Sequence, residues 1–142
     1  MENQVELIID SRSSNVGLAR VTAASFASQL NFTLAEIEEI KVAISEAVSN
    51  AIIHAYQDQV GKVKMKLRIY EGQLEIIIKD EGQGIEDIEQ ACQSSYTTTD
   101  RMGLGLAFIE SFMDKFELKS KLGVGTELRM VKVPAQEKQQ VN

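Results

Sequence analysis

The chain is short of the residues that carry disulfide, thiol and metal chemistry. One cysteine, Cys92, excludes an internal disulfide, and a single histidine, His54, argues against a zinc site. Cys92 reads as a small packing residue, because no histidine-containing base is evident beside it. No apolar run approaches membrane-spanning length, and the acidic start at Glu2 carries no targeting pattern. A cytoplasmic protein with no membrane partner is therefore expected. Positive charge is scarce as well. Lys and Arg number 15 against 21 Asp and Glu, and the resulting −6 with dispersed basic residues argues against nucleic acid as a direct partner. No internal repeat or second domain is visible. A chain of 142 residues can enclose one proper core, expected over residues 1–134, with a polar disordered tail over 135–142.

What the chain does contain is a helix of unusual two-sidedness. Thr33 and Glu36 have the T-x-x-E spacing of a capping box, which predicts a helix from there to about Tyr56. Ile37, Ile40, Ile44, Ala47, Val48, Ala51 and Ala55 fall on one stripe at helical spacing. Glu46, Asn50 and His54 repeat at intervals of four on another face, one turn above the other. Val42 and Ile53 flank that polar row. The row is either a pocket wall or an accidental stripe on a core helix.

Around this helix the pattern is mostly strand. Val5, Leu7 and Ile9 alternate as a first strand, and Ser13 or Ser14 can cap a helix to about Leu30 that buries Ala19, Ala23 and Phe26. Arg20 sits on its flank as a surface charge. Val63, Met65, Leu67 and Ile69 alternate with Lys62, Lys64, Lys66, Arg68 and Tyr70, a half-buried strand with one basic face. Glu75 on the next strand is placed to pair across that face. A turn at Glu71 and Gly72 leads to Leu74, Ile76 and Ile78.

This strand runs into Asp80, Gly82 and Gly84, a D-x-G-x-G at a strand end. Residues 85–92 suit a short helix, and 93–102 form a hydroxyl-rich stretch that is either a lid or a plain linker. Gly103, Leu104 and Gly105 open a helix to about Lys115, and strands at 116–121 and 126–133 follow. The order β-α-α-β-β-lid-α-β-β predicts an α/β (α+β) two-layer sandwich: a mixed five-stranded sheet with three helices on one face and a solvated opposite face.

Each box alone is weak. Their combination is specific: E-x-x-x-N on a helix, D-x-G-x-G after a strand, G-L-G at a helix start, and G-x-G-T entering a strand. In these boxes the sequence resembles the gyrase and histidine kinase ATPase superfamily, the Bergerat fold. Within it the small anti-sigma factor serine-protein kinases look nearest, above all those of the sporulation anti-sigma F type. The likeness runs from Val5 to about Val133, and is densest over residues 45–54 and 79–85.

The resemblance implies an ATP-dependent serine kinase that uses Mg²⁺ and sequesters a sigma factor. It also implies a STAS-type anti-anti-sigma protein as phosphoacceptor, and a homodimer. Asp80 is the implied adenine-reading carboxylate. A guanine would bring a carbonyl against it, so ATP is favoured over GTP. Thr126 completes that network, Gly82 and Gly84 let the purine and ribose approach, and Gly103 to Gly105 offer N–H groups to phosphate. Asn50 is implied as the Mg²⁺ ligand and Glu46 as the base that takes the acceptor's proton. Arg20 matches a partner-docking arginine. Arg101 is either the lid cation for the γ-phosphate or an ordinary exposed arginine, and His54 either touches phosphate and lid or is a packed histidine. The lid over Thr97 to Arg101 is shorter than the family's, with Met102 where a serine is usual. Two other readings stay open: an ATP-holding module without transfer, and the ATPase part of a histidine kinase or gyrase-like machine.

Overall fold

The computed structural model describes residues 2–56, 59–82 and 100–136. Cys92, Gly84, the short helix at 85–92, most of the lid and the tail beyond residue 136 lie outside the described residues. The described residues include five strands and three α-helices: β1 (Asn3–Asp10), α1 (Val16–Ala27), α2 (Leu34–Asn50), β2 (Lys62–Tyr70), β3 (Gln73–Asp80), α3 (Asp100–Phe112), β4 (Lys115–Lys121) and β5 (Gly125–Lys132).

The sheet has the order β1-β2-β3-β5-β4, and every neighbouring pair is antiparallel. The expected mixed sheet is therefore corrected. β3 and β4 do run in the same direction, but β5 returns from the hairpin after β4 and fills the place between them. Side-chain alternation sets which face of a strand is buried and carries no record of its neighbours.

The inner face follows the period-two pattern. Val63, Met65, Leu67 and Ile69 of β2 are buried, as are Leu74, Ile76 and Ile78 of β3 and Leu128 and Met130 of β5. Each such side chain contributes roughly 1.5–3 kcal/mol when fully buried. β1 lies at the sheet edge, where only Ile9 is fully covered and Ile8 on the outer side is exposed. The β2–β3 turn takes Glu71 and Gly72 through φ 52° and 73°, the paired left-handed conformation that suits the twist of a hairpin.

On the outer face Glu75 is buried between two arginines. Arg129 Nε donates to it at 2.7 Å and Arg68 stands at 3.9 Å. The expected pairing was with the basic face of β2, to which Arg68 belongs; Arg129 of β5 is the closer partner, and it arrives through the β3–β5 pairing that spacing did not show.

The helices cover the inner face. The Thr33 box forms as expected: Thr33 Oγ1 accepts from Glu36 N–H and Glu36 Oε1 accepts from Thr33 N–H, at 3.1 and 2.9 Å. The other carboxylate oxygen of Glu36 accepts from Ala135 N–H at 3.0 Å, so the chain after β5 is tied to the start of α2. Ser13 and Ser14 do not cap α1. They lie in a 3₁₀ turn over Ser13–Asn15, and α1 starts after it without a side-chain cap. α1 also ends at Ala27, one turn before Leu30. α3 starts at Asp100, so Gly103 and Gly105 lie one turn inside it rather than at its opening.

The largest departure is at the end of α2. The α-helix stops at Asn50, and Ala51–Ala55 continue as a π turn. Its i→i+5 bonding underwinds the chain, so His54 does not stand directly above Asn50.

Candidate functional site

Asn50, His54 and Ala55 at this junction face Asp80 and Thr126 across a cavity whose apolar wall includes Ile78, Leu106, Leu118 and Leu128. Asp80 ends β3 and Thr126 stands opposite it on β5. The carboxylate is 7% exposed, and Asp80 Oδ1 accepts from Gly82 N–H at 2.9 Å. Burial among these apolar groups raises the Asp80 carboxyl above its ordinary pKa, while the N–H groups of Gly82 and Thr126 pull it back down. Thr126 Oγ1 lies 2.8 Å from Ser120 Oγ, so hydroxyls of two neighbouring strands meet beside Asp80.

The backbone around Asp80 is packed too tightly for side chains. At Gly125, with φ 142°, a Cβ would lie 2.2 Å from the Asp80 carbonyl oxygen. At Gly82 a Cβ would lie 2.3 Å from the Cβ of Ala55. The close approach expected at Gly82 is thus made by the π turn of the protein itself.

Asn50 is 8% exposed, and neither its amide oxygen nor its amide nitrogen has a hydrogen-bond partner. Leaving a buried amide unsatisfied costs about 1–3 kcal/mol per group, so a neutral amide held this way at a cavity wall points to an external ligand. Its oxygen suits a hard cation such as Mg²⁺, which keeps several waters and shares its coordination with phosphates. Among the described residues no cluster of three acidic, histidine or cysteine side chains offers a metal site made of protein alone.

The polar row of α2 divides between two places. Asn50 and His54 line the cavity, while half-buried Glu46 lines a groove between α1 and α2 with Arg20, Lys41, Val42 and Ser45. Arg20 Nη1 donates to Ser45 Oγ at 3.3 Å, which places Arg20 beside Glu46's neighbour rather than far from it. Val42 and Ile53, expected to wall the row, are 43% and 40% exposed. Gly103, Leu104 and Gly105 belong to the first turns of α3, as does Arg101.

Two site residues were missed by sequence reasoning. Ser120 falls on the inner face by simple alternation with Phe116 and Leu118, and a period-two count would have found it. Tyr56, discussed below, has no spacing signal at all.

A profile of the histidine kinase-like ATPase domain matches residues 9–132. The chain is 46% identical over 135 residues to the anti-sigma F factor of Clostridium acetobutylicum, covering 93% of this chain and 94% of the relative. It is 44% identical over 133 residues to that of Caldanaerobacter subterraneus, covering 92% and 93%. Among solved structures, that of the RsbU and RsbW domains of a Mycobacterium tuberculosis protein aligns with TM-score 0.69 at 19% identity, over 92% of this chain and 32% of that one. The histidine kinase domain of an Erythrobacter litoralis blue-light activated kinase aligns with TM-score 0.62 at 19% identity, over 89% and 63%. No helix among the described residues is long and apolar enough to cross a membrane. The chain belongs to the histidine kinase-like ATPase domain family, in the branch that holds the anti-sigma F factors.

Proposed function

We propose that the chain is an anti-sigma factor with serine-protein kinase activity. In this reading it binds Mg²⁺-ATP, sequesters a sporulation-type sigma factor, and phosphorylates a serine on a STAS-type anti-anti-sigma protein in the cytoplasm, working as a homodimer. The observation that carries it is the pair of buried polar groups facing one cavity: the unsatisfied Asn50 amide and the desolvated Asp80 carboxylate.

Asp80 accepts a hydrogen bond from the exocyclic amine of adenine, with Thr126 beside it and the Gly82–Gly84 backbone next to the purine. Asn50 Oδ1 holds the Mg²⁺, which supplies charge neutralisation for the phosphates. The free N–H groups of a helix are those of its first turn, so the phosphates sit at the start of α3, ahead of Gly103, Leu104 and Gly105, and Arg101 in that turn serves the γ-phosphate. Glu46 accepts the serine proton as the hydroxyl oxygen bonds to the γ-phosphorus; the bridging P–O bond breaks and ADP leaves.

Glu46 shares its groove with Arg20, the residue assigned to the protein partner. A base that opens onto the α1–α2 groove is accessible to a protein acceptor, while nucleotide occupies the cavity on the other side of Asn50. Exposed Val42 in the same groove adds apolar surface for a partner.

One observation favours a second reading, an ATP-holding module without transfer: Glu46 does not line the Asn50–Asp80 cavity. Incubating the purified chain with Mg²⁺-ATP and candidate STAS proteins separates the two. Intact masses showing one added phosphate on a serine support the kinase; none with authentic partners leaves the binding module.

A further inference from the structure

Tyr56 follows the π turn and joins three parts of the chain through one hydroxyl. Its phenol oxygen donates to the carbonyl of Lys62, at the start of β2, at 2.8 Å. It also accepts from the N–H of Glu81, the residue after Asp80, at 2.8 Å. The ring lies against bare backbone at Gly61, where an added Cβ would stand 2.2 Å from ring atom Cε1. On the other side of the same turn Ala55 presses against Gly82. Residues 55 and 56 therefore grip 81 and 82 from two directions, and Gly82 N–H in turn holds Asp80 Oδ1.

Both hydrogen bonds of the phenol lie at an exposed place. Water can satisfy Lys62 and Glu81 if the hydroxyl is removed, so the fold does not depend on it. Water cannot fix where Glu81 sits. The carboxylate of Asp80 takes its aim from this backbone, and a hydrogen bond weakens steeply when its angle departs from linear.

We infer that Tyr56 is a positioning residue for base recognition, its phenol locking Glu81 so that the Asp80 carboxylate points at the exocyclic amine of a purine. The inference rests on the reading of Asp80 given above. It assigns to Tyr56 no contact with the nucleotide; the residue acts through the turn.

The test compares ATP with purine riboside triphosphate, which lacks the exocyclic amine, by titration calorimetry of the full chain with Mg²⁺. The parent is expected to prefer ATP. Tyr56→Phe should lose about tenfold in ATP affinity and change little toward the amine-free nucleotide, so that the preference collapses. Gly61→Ala, which keeps the tyrosine but displaces its ring and with it the hydroxyl from Glu81, should do the same, and covers the case in which Tyr56→Phe folds poorly. In an Asp80→Asn background, Tyr56→Phe should have no further effect on ATP, as coupled neighbours behave.

A purely structural role would weaken both nucleotides equally. Either variant, folded and keeping the parental preference, overturns the inference. A parent that shows no preference for ATP overturns the Asp80 reading itself, and the role of Tyr56 falls with it.

Discussion

Replacing Asp80 by Asn separates what the carboxylate does for the ligand from what it costs the fold. The side chain is buried among Ile78, Leu118 and Leu128, and burial is the largest influence on its pKa. A charge-assisted hydrogen bond is worth roughly 1.5–3 kcal/mol, so loss of the charge should weaken ATP about ten- to hundredfold. The amide still has an oxygen to accept from Gly82 N–H, so the turn is kept. The unliganded protein should lose no stability. A carboxyl whose pKa is raised on folding binds its proton more tightly in the folded state, so the cost of burying the charge is absent in acid. That cost appears as pH rises from the unfolded value through the raised folded value, and is constant above it. Asp80→Asn should therefore match or exceed the parent's stability at neutral pH, with the difference shrinking on acidification. Titration calorimetry with ATP and urea unfolding at several pH values read both effects. A folded variant with parental ATP affinity would refute the adenine assignment; one destabilised at neutral pH would refute the desolvation argument.

Three further outcomes are expected. Glu46→Gln should bind Mg²⁺-ATP nearly as well as the parent but transfer phosphate on the order of 10²–10⁴-fold more slowly, and parental single-turnover rates would remove Glu46 as base. Arg20→Ala should weaken capture of the protein partner and leave nucleotide affinity alone; a fall in ATP affinity with normal partner capture would put Arg20 on the wrong surface. Glu36→Ala strips acceptors from Thr33 and Ala135 and should destabilise the fold by about 1–3 kcal/mol, which an unchanged urea midpoint would disprove.

Much of this architecture is legible in local pattern. The Thr33 box, the inner face of β2 and the Asp80 strand end all rest on contacts within a few residues or on strict alternation, where spacing translates directly into geometry. The antiparallel order of β5 and β4 is different, because alternation is indifferent to a strand's neighbours. The π turn escaped for a related reason. Residues Ala51, Ile52 and Ile53 suit an α-helix locally, and the underwound turn coincides with the close contact of Ala55 on Gly82. Tyr56 and Arg129 act across 25 and 54 residues of sequence respectively, beyond the range of any spacing rule. Of the site, Asn50, Asp80 and Thr126 come together as expected, while Glu46 opens onto the groove of Arg20.

The position of β5 has a consequence for how the protein is made. Asp80 meets Thr126 only when the last described strand slots between two strands already synthesised. Closing so long a connection is entropically costly and slow compared with forming a helix or hairpin. A ribosome-bound chain that has released β3 already carries Asp80 and Asn50, yet the site lacks one wall. Ligand competence therefore arrives as a late event in folding, together with completion of the sheet, and a nascent chain cannot draw on nucleotide binding to stabilise its earlier intermediates.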